Sequence, residues 1–129
     1  MEENENGLDL IIDDKLRKEI EKKVADLKTA DPKLKIVYPI VIEGSEYDDK
    51  ERYVAYFRQP TFPTFSKYLS VSQRDQAVAM RQLAKDCFLD GDKELIDDDS
   101  LFLFGLMGQL IKIIEVRHGN LVNLSKPGK

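Results

Sequence analysis

RYVAYFRQP, residues Arg52 to Pro60, decides the fold of this chain. Arg52 to Arg58 is rich in aromatic and branched side chains and reads as a β-strand. A period of two puts Tyr53, Ala55 and Phe57 on one face and Val54 and Tyr56 on the other. Just upstream, Leu34 to Ile42 is rich in Ile, Val and Tyr and reads as a second strand. Pro39, with no N–H to give a neighbour, pushes that strand toward a sheet edge or a bulge. The polar stretch Gly44 to Glu51 between them is a turn, so the two strands form an antiparallel hairpin. A hairpin alone is marginal in water; a helix must cover it or another chain must extend it.

Downstream the period changes. Pro60 and Pro63 start an element in which Phe62, Phe65 and Leu69 lie three and four apart, one face of a short helix. Ser72 with Asp75 three residues on makes a capping-box-like start to a longer helix. Its apolar face is Ala77, Met80, Leu83, Ala84, Cys87 and Phe88, and Asp90-Gly91 ends it with glycine in a left-handed cap. Asp97 to Ser100 caps the last helix. Its apolar surface from Leu101 to Ile114 is broad enough to be buried on most sides, as in a central core helix.

At the other end, Asp13 and Asp14 offer an N-cap and a first-turn negative charge. From Lys15 to Lys28 the apolar residues are Leu16, Ile20, Val24 and Leu27, a narrow stripe on one face. Opposite charges four apart occur at Lys15–Glu19, Arg17–Glu21 and Glu19–Lys23. Such a stripe suits packing on the chain's own domain or a coiled-coil seam with another subunit. Asp31-Pro32 ends the helix. The expected fold is α+β, a β-hairpin packed against three C-terminal helices, with an additional N-terminal helix that docks in cis or in trans. Residues 13–118 form one domain, between a flexible N-terminus (1–12) and a flexible tail (119–129).

A length of 129 residues suits one domain with one core. The hydrophobic fraction of 42% and the charged fraction of 34% suit a globular protein with a solvated surface. A net charge of -4, with Lys and Arg interleaved among Asp and Glu, argues against nucleic acid as a partner. The acidic start, MEENENGLDL, lacks the basic and apolar regions of a signal peptide. The longest apolar run, Leu101 to Ile111, is too short for a bilayer and is broken by Gly105, Gly108 and Gln109. The expectation is an intracellular protein that does not enter membranes.

Candidate chemistry is sparse. Cys87 is the single cysteine and reads as a small buried apolar residue. His118 is the single histidine and lies past the last helix, where a cation favours the helix C-terminus. Asp90, Asp92, Glu94, Asp97, Asp98 and Asp99 resemble the start of a calcium loop. Position six would be Leu95 and position twelve Leu101, so the pattern fails where glycine and glutamate are required. The acidic run reads as a loop capping the following helix. Gly105 and Gly108 lie inside an apolar helix rather than in a phosphate loop. Arg58 and Arg74 with Tyr53, Tyr56, Phe57, Phe62, Phe65 and Tyr68 offer base stacking, but their spacing fits core packing better. No catalytic residue, cofactor or metal is expected.

The strand ending in Tyr56, Phe57, Arg58 and Pro60, the run Cys87, Leu89, Gly91 and Asp92, and the apolar helix Leu101 to Ile114 follow one another in a specific order. Over residues 52 to 115 this pattern resembles small tail assembly chaperone-like proteins of tailed bacteriophages and prophages. The resemblance implies a non-enzymatic role in the cytoplasm of a bacterial host. Such proteins bind a long, aggregation-prone tape measure protein while the tail tube assembles, a task that asks for adaptable apolar surface, an acidic exterior and self-association. It brings no catalytic residues. Adaptable apolar surface for such a partner would come from Leu16, Ile20, Val24 and Leu27, or from Phe62, Phe65 and Tyr68. The alternatives are a small structural virion or tail completion protein, and a carboxylate-based enzyme or regulator.

Overall fold

The strand RYVAYFR, β2 (Arg52–Arg58), is the middle of a three-stranded antiparallel sheet of order β1-β2-β3. The computed structural model describes residues 12–114 and 119–125. β1 (Val37–Glu43) pairs with β2 from Val37 opposite Arg58 to Glu43 opposite Arg52. Pro39 faces Tyr56 on this edge strand, where a missing N–H costs least. The turn closes through Gly44 N–H to the Glu51 carbonyl at 2.8 Å, and the Asp48 carboxylate accepts from Ser45 N–H at 2.7 Å.

The third strand corrects the sequence reading. α3 (Gln76–Cys87) stops at Cys87, and β3 (Phe88–Gly91) leaves it in extended conformation to pair with β2. Phe88 and Leu89 explain the switch. The Phe88 ring meets Phe57 edge-on, with centroids 5.8 Å apart at 78°. Leu89 packs on the other side of the sheet. A strand can place neighbouring residues on two cores, which a further helical turn cannot. Gly91 does have positive φ (119°), but at the end of a strand and not as a helix cap.

Each face of β2 has its own cover. Tyr53, Ala55 and Phe57 belong to the main core with Ile40 of β1, Met80 and Leu83 of α3, and Phe102, Leu106 and Leu110. On the opposite face Tyr56 and Val37 are buried against α1 (Asp14–Ala30). Asp13 caps α1 by accepting from Leu16 N–H at 2.8 Å. Leu16 and Ile20 are buried, and Val24 and Leu27 pack half-buried beside them. The stripe therefore meets the sheet of its own chain. Burying one such aliphatic side chain stabilises by about 1.5–3 kcal/mol, and Leu16 and Ile20 each contribute on that scale. Lys23, expected beside Glu19, reaches Asp90 of β3 instead.

α2 (Phe62–Ser72) starts at the Thr61 cap with Pro63 in its first turn, and none of its side chains is fully buried. Ser72 ends this helix and does not begin the next. Asp75 itself caps α3, accepting from Val78 N–H at 3.1 Å. The buried face of α3 is Ala79, Met80, Leu83, Ala84 and Cys87; Ala79 takes the place expected for Ala77. A short α4 (Glu94–Asp97), not foreseen, buries Leu95 and Ile96.

The C-terminal helical run is continuous but irregular. It comprises α5 (Asp99–Leu101), a π-helical turn (Phe102–Leu106), α6 (Met107–Leu110) and a 3₁₀ turn (Ile111–Ile113). Phe102, Leu106, Leu110 and Ile113 are buried, whereas Leu103, Phe104 and Ile111 face outward. The run thus caps one side of the core and is not buried on most sides. Residues 119–125 form no helix or strand, and Leu121, Val122 and Leu124 are exposed. His118 and residues 1–11 of the expected flexible N-terminus lie outside the described residues; Ile12 packs against the α1 side of the sheet. The architecture is α+β in three layers: α1, the sheet, then α3 with the C-terminal run. No helix among the described residues is long and apolar enough to cross a membrane.

Candidate functional site

Phe62 is 84% exposed at the first turn of α2. A large ring in water on a small domain calls for an explanation that a buried one does not. The strand-to-helix corner holds it there. β2 ends at Arg58, whose guanidinium donates to the Asp86 carbonyl at 2.9 Å in the last turn of α3. Pro60 and the Thr61 cap then set the start of α2, and Lys67 of α2 pairs with Asp86 at 3.0 Å. Phe65 and Tyr68 stack with centroids 5.6 Å apart at 22°. Tyr68 also packs against the main core, and its hydroxyl accepts from the Gln76 amide at 3.1 Å. Gln59, Pro60, Thr61, Phe62, Phe65 and Ile114 line a shallow pocket of about 220 Å³.

The structure separates the two groups of residues read from the sequence. Phe62, Phe65 and Tyr68 come together at this corner. Leu16, Ile20, Val24 and Leu27 lie across the sheet, in contact with it. An exposed apolar residue that escaped sequence reasoning is Phe104, 87% exposed, with Val78, Leu103 and Ile111 also exposed. One signal could have found it: Leu101 to Phe104 are four consecutive apolar residues, and one helix turn cannot point all of them inward.

The polar groups have structural work. Asp92 accepts from Lys50 Nζ at 2.8 Å through one oxygen and from Val54 N–H at 2.9 Å through the other. Glu94 takes the same ammonium at 3.0 Å. Lys50 is held protonated above its ordinary range, first by the bond to Asp92 and then by that to Glu94. Asp90 is held below the ordinary carboxylate range, first by Lys23 and then by the N–H of Gly91. Asp98 caps α5 by accepting from Leu101 N–H at 3.0 Å. Asp99 accepts from Arg81 at 2.8 Å, and the Arg81 guanidinium lies 4.9 Å from the centroid of the Phe102 ring. Among the described residues no group of three or more His, Cys, Asp or Glu is placed to hold a metal ion. Cys87 is buried, and burial pushes its thiol up to about 11.

No protein-family model matches this sequence, and no curated protein matches it significantly. In structure the chain is similar to an uncharacterised protein from Bacillus stearothermophilus. The two share 22% identity at a TM-score of 0.51, over 77% of this chain and 98% of the other. At that identity the likeness extends to the α+β fold alone.

Proposed function

We propose that this chain is a non-enzymatic assembly chaperone or adaptor that binds a tape-measure-like partner during phage or prophage tail assembly. The exposure of Phe62 beside Phe65 carries the reading. These rings stand at the end of the strand whose Tyr56, Phe57, Arg58 and Pro60 resemble the tail assembly chaperone-like pattern. An exposed Phe62 beside a half-buried Phe65 suits recognition of apolar segments, and exposed Phe104 with Leu103 adds further apolar surface. Cys87 closes α3, Leu89 and Gly91 belong to β3, and Asp92 ties its end to β2, so in this reading the motif is scaffold and the aromatics are the working surface.

The test is capture of partners from phage-producing cells by wild type and by Phe62→Ser, with mass spectrometry of what is retained. The expected result is a very long, coiled-coil-rich protein held by wild type and reduced with Phe62→Ser, while the chaperone is absent from finished particles. Recovery of the chain inside finished particles would overturn this reading in favour of a structural tail component.

A further inference from the structure

Next to Phe62 the surface carries the opposite sign to the molecule. The chain has a net charge of -4, yet Lys33, Lys35 and Arg58 line a groove of about 490 Å³ with Asp31 as the single carboxylate in its lining. Asp31 is turned onto its own loop, accepting from Lys33 N–H at 3.1 Å. Arg58 is engaged with the Asp86 carbonyl. Lys33 and Lys35 are exposed, and among the described residues neither has a carboxylate within ion-pair distance. The groove shares Gln59, Pro60 and Thr61 with the pocket of Phe62, Phe65 and Ile114. Positive charge and aromatic surface therefore form one continuous corner.

We propose that this corner docks a protein segment in which carboxylates flank an aliphatic or aromatic anchor. The carboxylates meet Lys33 and Lys35, and the anchor lies against Phe62 and Phe65. The inference rests on the reading of the chain as a protein-binding adaptor and supplies the chemistry of its partner. Charge complementarity selects the occupant. Two exposed lysines beside an apolar pocket match short acidic stretches next to an apolar residue. A phosphate chain needs a longer cationic track than Lys33, Lys35 and Arg58 provide. In such a site the anchor supplies most of the affinity, and the exposed charges supply on-rate and selectivity.

The test uses the full chain and two labelled decapeptides, EELLEELLEE and KKLLKKLLKK, read by fluorescence anisotropy. The acidic peptide is expected to bind and the basic one not, with binding weakened by added salt. Lys33→Glu with Lys35→Glu should weaken the acidic peptide at least about tenfold, and Phe62→Ser should weaken it comparably. Both lysines are exposed, so an unchanged melting temperature shows that the charge variant is folded. Equal binding of the two peptides, or an unaffected charge variant, overturns the proposal. So does tighter binding of an oligothymidylate than of the acidic peptide. A dimer in sedimentation that the charge variant dissolves also overturns it, because the occupant would then be a second copy. The two readings fail separately. A tape-measure-like partner lost with Phe62→Ser but kept by the charge variant sinks the charge inference alone. Acidic-peptide binding by a chain that captures no such partner sinks the assembly role alone.

Discussion

Gly91 lies directly opposite Ala55 across the β2–β3 ladder, and no side chain fits between them. A Cβ at Gly91 would sit 2.6 Å from the Ala55 Cα and 2.5 Å from the Val54 carbonyl oxygen, both backbone atoms that cannot step aside. Its φ of 119° is one that other residues rarely adopt. The next residue, Asp92, donates its N–H to the Val54 carbonyl at 2.8 Å and accepts from the Val54 N–H through its carboxylate. Gly-Asp is thus the clasp that ends β3 on the central strand.

Gly91→Ala should be among the most damaging single substitutions in the domain. Backbone strain at such a φ costs about 1–3 kcal/mol, and displacement of β2 adds to it. Urea unfolding should show a loss of about 3 kcal/mol or more. A loss under about 0.5 kcal/mol, the range of ordinary surface changes, would mean that β3 does not approach β2 this closely.

Ile20 is buried between α1 and the sheet. Ile20→Ala should therefore cost about 2–4 kcal/mol in chemical denaturation, as for other large-to-small core changes. Ile20→Asp together with Val24→Asp should release α1 or unfold the chain, visible as lost far-UV helix signal. Full stability in that double variant would show that the stripe faces solvent instead.

The Lys23–Asp90 pair joins α1 to β3 and has a pH signature. Asp90 titrates below its ordinary range in the folded chain, so its contribution is complete above the unfolded carboxylate value of about 4 and is lost as pH falls through the folded value. Lys23 titrates above its ordinary range, chiefly through its bond to Asp90. Its contribution is complete below about 10.4 and is lost as pH rises through the folded value. Lys23→Met should melt lower than wild type between about pH 5 and 9, and the two should converge in acid. With side-chain exposures of 41% and 45%, the difference should be small and shrink with salt. A gap that persists unchanged into acid would assign the effect to packing of the Lys23 stem.

Cys87 is 1% exposed, and its thiol titrates near 11, raised chiefly by burial. At neutral pH it is a buried thiol with almost no thiolate. A thiol reagent such as iodoacetamide should leave the native chain unlabelled over hours and label it rapidly in denaturant. Rapid native labelling would mean that the α3–β3 junction opens readily.

Much of the fold was legible because local chemistry and tertiary context agreed. The β2 bounds Arg52–Arg58 and its two faces follow from period-two alternation. The Asp13 cap of α1 and the edge position of β1 follow from residues that act within their own turn or strand. The failures cluster where a contact distant in sequence overrode the local pattern. Residues 88–91 extend the apolar face of α3 well enough to look helical. Phe57 on one side and the α1 face on the other draw Phe88 and Leu89 into the sheet. At the candidate site, Phe62 and Phe65 were visible as aromatics at helical spacing, whereas the Lys33 and Lys35 groove was not, because its walls come from the α1–β1 loop and the β2–α2 corner.

By itself the sequence determined the period of α1, β1, β2, α2 and α3, the Asp13 cap, and an α+β chain built on one strongly apolar strand. These properties depend on residues a few positions apart, and side-chain alternation and backbone capping act over that range. Only the tertiary structure decided that α1 docks on its own sheet, that a third strand completes it, that half of the C-terminal helical face stays in water, and which aromatics and lysines share a corner. Those outcomes depend on which surfaces compete best for burial once the whole chain is brought together.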